Sequence, residues 1–271
     1  MEPMCGRYTT TMDPETLYGI FDAVADEPAP ATEHQPGSGE YGGDVPRRPP
    51  PVQLREGYNI APTTDVPVVR ERPEREDAPS GRLVGPVHWG LVPSWARDPA
   101  VGNRMFNARA ESLADKPAFR RAYQRRRCLF PASGYYEWRK PDGSAPKGAK
   151  KQPFYMTPLD GSVMAFAGIW EYWKSPEGEP LVSAAIITTD SVGPLQEIHD
   201  RMPLILPASE WSAWLDPAAD GASVAPLLAP PEEALVAGLE LRPVGQRVGN
   251  VRNDDPGLIE RVEPEKFALF G

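Results

Sequence analysis

Most apolar residues of the chain fall in short runs that read as strands, at 66–70, 83–91, 128–130, 135–139, 154–157, 163–173, 181–188, 204–206 and 239–244. Helical spacing is rarer. Asp13-Pro14-Glu15 supplies an N-cap, a first-turn proline and a first-turn acid, after which Leu17, Ile20, Phe21 and Val24 recur at helical intervals. That pattern predicts a helix running to about Ala25. Further helices are expected at 112–126, interrupted by Pro117, at 209–215 with Ser209 as cap, and at 231–237. Many strands with few helices between them predict an α+β domain, mainly antiparallel, rather than a βαβ repeat.

Three stretches break the pattern. Residues 26–53 hold seven prolines and four glycines among 28 positions and almost nothing apolar. Such a segment buries too little surface to offset its chain entropy, so it is expected to be a disordered insertion. Segments 72–82 and 140–152 read as long surface loops. There is no internal repeat and no phosphate-cradling GxGxxG or GxxxxGK[ST] loop.

Composition narrows the class. Hydrophobic residues make up 40 % of the chain, as in a globular protein, yet no apolar run nears the ~20 residues of a membrane helix, and no signal peptide opens the chain. Two cysteines without a secretion signal argue for a reducing, cytoplasmic setting. With three histidines and no CxxC or HxxxH spacing, neither a metal nor another cofactor is expected. The net charge of −9 is unevenly spread. Residues 13–44 carry acids and no Lys or Arg, whereas 101–130 carry a local charge of +6, from Arg104 through Arg127. A basic face on an acidic protein is one reading, and a solvated helix with scattered ion pairs is the other.

Chemistry concentrates at Cys5, in Met4-Cys5-Gly6-Arg7-Tyr8. A cysteine that becomes the first residue carries an amine and a thiol on adjacent carbons. The amine condenses with an aldehyde and the thiol then closes a thiazolidine ring. The two groups titrate at about 7.7–8.0 and about 8.5, so their reactive forms coexist near neutrality. Residues 1–3 are therefore expected to be a leader or a mis-assigned start, with Met4 trimmed as well.

Four other polar clusters lie in or beside apolar segments: Asn107-Ala108-Arg109-Ala110-Glu111, Glu137 in Gly134-Tyr135-Tyr136-Glu137-Trp138, His199 in Ile198-His199-Asp200-Arg201-Met202-Pro203, and Tyr58-Asn59-Ile60-Ala61-Pro62. Each has a structural explanation. Asn107 and Glu111 fit a helix start, Glu137 the outer side of an edge strand, His199 a helix end satisfied by Asp200. Each also has a chemical one. A carboxyl between aromatic rings is where desolvation makes a proton donor available at neutral pH, and histidine is the other side chain that exchanges protons there.

Taken in order, these clusters resemble the SRAP (SOS response-associated peptidase) family, whose fold shields abasic sites in single-stranded DNA. The series also includes His88-Trp89-Gly90-Leu91-Val92-Pro93, Cys128-Leu129-Phe130-Pro131 and Val248-Gly249-Asn250-Val251. The resemblance implies one domain over 4–271 with a barrel-like core and a few flanking helices. It implies Cys5 as the nucleophile that bonds the ring-opened sugar aldehyde, Asn107 as a holder of the cysteine and the aldehyde carbon, Glu137 as the acid/base residue and agent of leader removal, and His199 as the residue assisting sugar opening and release. Arg7, Arg109, Arg201 and Thr188 would contact DNA phosphates, and Pro62 and Trp95 would support or interrupt the base stack. The partner is then single-stranded DNA containing abasic sites, with the protein nucleoid-associated when bound. Replication-fork proteins are conceivable partners that the sequence does not name.

Two other readings use the same residues. Cys5 would serve an N-terminal-nucleophile thiol peptidase, with His199 or its own amine as base. Without any covalent step, the +6 segment and the tryptophans would make a single-strand binder.

Overall fold

The computed structural model describes residues 6–26, 56–72, 80–141 and 148–263. In chain order its strands are β1 (Tyr8–Thr10), β2 (Ala23–Ala25), β3 (Gly57–Ile60), β4 (Asp65–Arg72), β5 (Gly81–Trp89), β6 (Asn107–Arg109), β7 (Arg127–Ala132), β8 (Gly134–Arg139), β9 (Gln152–Pro158), β10 (Met164–Lys174), β11 (Pro180–Asp190), β12 (Arg201–Pro203) and β13 (Leu239–Pro243). The helices are α1 (Pro14–Phe21), α2 (Arg120–Arg125), α3 (Trp211–Leu215), α4 (Gly221–Val224) and α5 (Glu233–Ala237).

Five strands form one sheet in the order β13-β9-β8-β1-β3, and eight form a second, of which β12-β11-β10-β7-β4-β5-β2 are laid side by side while β6 pairs with β11. A parallel contact between β5 and β11 joins two flanks of the larger sheet, so β5, β4, β7, β10 and β11 run round in a ring. The expected α+β, barrel-like, mainly antiparallel architecture is what the chain adopts. Among the described residues only the β2–β5, β5–β11 and β6–β11 pairings are parallel.

Strand alternation explains how the layers pack. In β7, Cys128 and Phe130 point into the core shared by the two sheets, with Tyr8, Trp89, Tyr135 and Phe166, while Leu129 points the other way. That second core is capped by α1 and α3 through Leu17, Phe21, Trp211 and Trp214. A smaller cluster of Tyr136, Tyr155, Val244, Val248 and Leu258 covers the outer face of the five-stranded sheet.

Several expectations are corrected. Helix α1 has the anticipated Asp13 cap, accepting from the Thr16 amide, but stops at Phe21. Asp22 takes a left-handed conformation (φ 48°), and residues 23–25 join β5 as a strand. Val24, whose spacing suggested another helical turn, is exposed. Pro117 leaves only Arg120–Arg125 helical in 112–126, and Ser209 sits in a 3-10 turn with no capping bond. The strand expected at 204–206 lies earlier, at Arg201–Pro203, and Ile205 makes only an isolated bridge with Phe166. Of the segment read as a disordered insertion, 27–53 lie outside the described residues, while Asp26 pairs with Arg70. Of the two segments read as surface loops, 73–79 and 142–147 lie outside the described residues, while β4 reaches Arg72, β5 begins at Gly81 and β9 begins at Gln152. Among the described residues no helix is long and apolar enough to cross a membrane.

Candidate functional site

The site is set by how β1 enters the smaller sheet. Tyr8 lies opposite Tyr135, and the Tyr136 amide donates to the Arg7 carbonyl at 3.0 Å. Continuing that antiparallel register by one residue brings Gly6 level with Glu137. Both line a cavity of about 310 Å³, together with Arg7, Trp138, Lys151, His199 and Gly249. Glu137 is only 4 % exposed. It lies in an interior strand between β1 and β9, on the face of Tyr135 that points between the sheets, so the edge-strand reading is set aside. Cys5 lies outside the described residues, but it is the residue bonded to Gly6.

His199 reaches the same cavity from the turn before β12. Its Nδ1 accepts from the Arg201 amide at 3.0 Å, which leaves the proton of the neutral ring on Nε2. The exposed Asp200 carboxylate, 2.9 Å from the same Nδ1, becomes a partner once the ring takes a second proton.

Arg7 and Asn59 explain two of the sequence motifs at once. One Arg7 guanidinium nitrogen donates to Asn59 Oδ1 at 3.1 Å and to the Val248 carbonyl at 2.8 Å. Burial lowers its pKa from the usual arginine value, although a guanidinium remains charged at neutral pH. The Asn59 side-chain amide in turn donates to the carbonyls of Val248, Asn250 and Asn253. The buried asparagine of the Tyr58–Pro62 motif thus clamps the Val248–Val251 motif beneath the cavity.

Strand β11 organises the remaining residues. Ser183 Oγ accepts from the Val92 amide, fixing the loop that carries Trp95, and Trp173 Nε1 donates to the Ala96 carbonyl beside it. Ile186 pairs with Asn107 and Thr188 with Arg109. Asn107 is therefore a strand residue, which corrects the expected helix start. From Ser183 to Thr188 the strand advances roughly 17 Å at about 3.3 Å per residue. Trp95, Asn107 and Arg109 are hung along it in that order. Trp95 is 64 % exposed and Arg109 is exposed, while Pro62 is half-buried.

Two sequence expectations meet obstacles. Thr188 is fully buried and offers no surface to a phosphate; its carbonyl accepts from Arg201 at 2.8 Å. Arg201 is 7 % exposed and its terminal nitrogens are engaged by Asp190 (2.6 Å) and Glu111 (2.9 Å). Burial alone would lower its pKa, but these two carboxylates outweigh it and raise it. Its evident work is to tie β11, β12 and Glu111 together under His199.

Sequence reasoning passed over Lys151 and did not single out Trp138 or Gly249, although the last two stand in quoted motifs. Lys151 falls in the segment 140–152 that reads as a surface loop. The available signal was the Lys150-Lys151 pair directly before a strand. Among the described residues no group of three or more His, Cys, Asp and Glu is placed to hold a metal ion.

Residues 4–251 match the sequence profile of the family described as SOS response associated peptidase (SRAP). The chain is 34 % identical over 257 residues to the abasic site processing protein YoqW of Bacillus subtilis, covering 95 % of this chain and 99 % of that one. It is 30 % identical over 258 residues to the abasic site processing protein HMCES of Rattus norvegicus, covering 82 % and 71 %. A solved Bacteroides thetaiotaomicron protein shares the fold with a TM-score of 0.73 at 24 % identity, over 96 % of this chain and 100 % of that one.

Proposed function

Because the chain belongs to the SRAP family, we propose that it processes abasic sites in DNA, as the names of its relatives describe, and that it does so by covalent capture in single strands. The observation that carries this reading is the shared cavity: Gly6, bonded to Cys5, lies beside Glu137 and His199.

In the proposed reaction residues 1–4 are removed and Cys5 becomes the first residue. Its amine adds to the C1′ aldehyde of the ring-opened sugar. Loss of water gives an imine, and the thiolate then attacks the imine carbon to close a thiazolidine, so one water leaves overall. Glu137, shielded from bulk water, donates the proton that lets hydroxide depart as water. His199 exchanges the proton that opens the sugar or, in reverse, releases it. Asn107 holds the reacting carbon, Arg7 and Arg109 hold phosphates, and Pro62 and Trp95 flank the gap in the stack. An abasic site has no base to unstack, so kinking the strand there costs less than elsewhere, which gives selectivity without sequence readout. Removal of the leader by Glu137 would be the one peptidase step.

The test is incubation of protein, with Cys5 verified as first residue by intact mass, with abasic single-stranded DNA. A heat-stable adduct is expected, absent in Cys5→Ala. No adduct from the verified protein would overturn the reading.

A further inference from the structure

Charge in the cavity runs against that of the whole chain. Arg7 and Lys151 are basic side chains of its lining, and among the described residues Glu137 is the one acid there. Arg7 is anchored by Asn59 and Val248. Lys151 is anchored through its backbone, whose carbonyl accepts from Gln246 Nε2 at 2.8 Å, on the turn that carries Gly249. The next residue, Gln152, opens β9 opposite Arg139 and reaches the Val244 carbonyl at 2.9 Å. The Lys151 main chain is therefore held both at its own carbonyl and by the β9 residue that follows it.

Register sets the backbone offset between them. Phe154 is opposite Glu137, and Lys151 lies three residues before Phe154, immediately ahead of β9, roughly 10 Å of extended backbone at about 3.3 Å per residue. Glu137 is buried while Lys151 is half-buried, so the acid belongs to the floor of the cavity and the lysine stands nearer solvent. An aldehyde carbon held at the floor has its phosphodiesters outside it, at the level of the mouth. A lysine suits that place, being a compact charge on a flexible stem that can follow a kinked backbone.

We infer that Lys151 is a DNA-binding residue of this site, contacting a phosphodiester next to the abasic sugar. The inference rests on the proposed function, and its test separates the two. The probe is single-stranded DNA bearing a tetrahydrofuran abasic analogue, which has no aldehyde and so reports binding alone. Lys151→Met keeps the apolar stem and removes the charge. It is expected to weaken binding about 3- to 10-fold and to make the dependence of log K on log salt shallower by about 0.7, the loss of one single-strand phosphate contact. Lys151→Arg should restore both, and thermal melts of all three proteins should coincide.

An unchanged salt slope in Lys151→Met overturns the inference, whether the variant is otherwise silent, melts earlier as a structural partner would, or forms adduct slowly as a chemical participant would. Failure of the parent reading looks different: wild-type protein forms no adduct with aldehyde-bearing abasic DNA, whatever Lys151 does on the analogue. A wild-type protein that does not bind the analogue strand sinks the lysine contact as well.

Discussion

The amide of Tyr136 donates to the carbonyl of Arg7 across 3.0 Å, and this bond sets the residue after Cys5 level with Glu137. The register depends on the neighbouring pair, Thr9 opposite Gly134. A side chain at 134 has no room: a Cβ there would stand 2.3 Å from the Tyr155 ring, whose hydroxyl is bonded to Thr9 at 2.8 Å.

Gly134→Ala should therefore destabilise the protein by about 1–3 kcal/mol, as overpacking does, and slow adduct formation by shifting β1 against β8. Urea unfolding midpoints and single-turnover adduct rates measure the two effects. A variant with wild-type stability would show that Tyr155 can move aside, and that β1 is not held as described.

Glu137→Gln tests proton transfer separately from packing. The amide is nearly isosteric, so the melting temperature should hold within a few degrees. Adduct formation should slow by about 10²- to 10⁴-fold, the usual contribution of a general acid or base, and leader removal should fail. Wild-type rates in both assays would remove Glu137 from the mechanism.

The strands and the site residues were legible to different degrees. Strands 83–91, 135–139, 163–173 and 181–188 announced themselves because each buries most of its side chains on both faces, which leaves a nearly continuous apolar run in the sequence. Tyr8–Thr10, Gly57–Ile60 and Asn107–Arg109 did not, because three- and four-residue strands are too short for a period to show. They owe their conformation to partners far away in sequence, such as Ile186 for Asn107. Val24 misled in the other direction, since apolar spacing says nothing about whether a face is covered. Glu137 and His199 were found through their neighbours. Lys151 was not, because what makes it part of the site is the bond from Gln246, which lies 95 positions along the chain.

The two cysteines should react very differently. Burial raises the Cys128 thiol pKa well above the ordinary range, and the side chain is fully enclosed under Phe130 and Gly168. It holds almost no thiolate at neutral pH. Iodoacetamide should label wild-type protein once when folded and twice in denaturant. Cys5→Ala should be unlabelled when folded. Labelling of Cys128 in the folded protein would contradict the enclosed core between the two sheets.

Acid should loosen the outer edge of the five-stranded sheet through Glu240. Its carboxylate accepts from Arg242 at 2.5 Å and from Arg261 at 2.5 Å, and these bonds, that from Arg242 foremost, lower its pKa from 4.5 to about 2. A carboxylate whose pKa is depressed on folding contributes stability above its unfolded pKa, and that contribution disappears as pH falls through the folded value. The window is therefore about pH 4.5 down to 2. Arg261 is more than half exposed, so solvent screening trims the contribution to roughly 1–3 kcal/mol. Glu240→Gln should be less stable than wild type by that amount at pH 6, and the gap should close progressively towards pH 2 in urea titrations. A gap that stays constant from pH 6 to pH 2.5 would mean that Glu240 acts through packing, and that its charge does not hold β13 to the segment around Arg261.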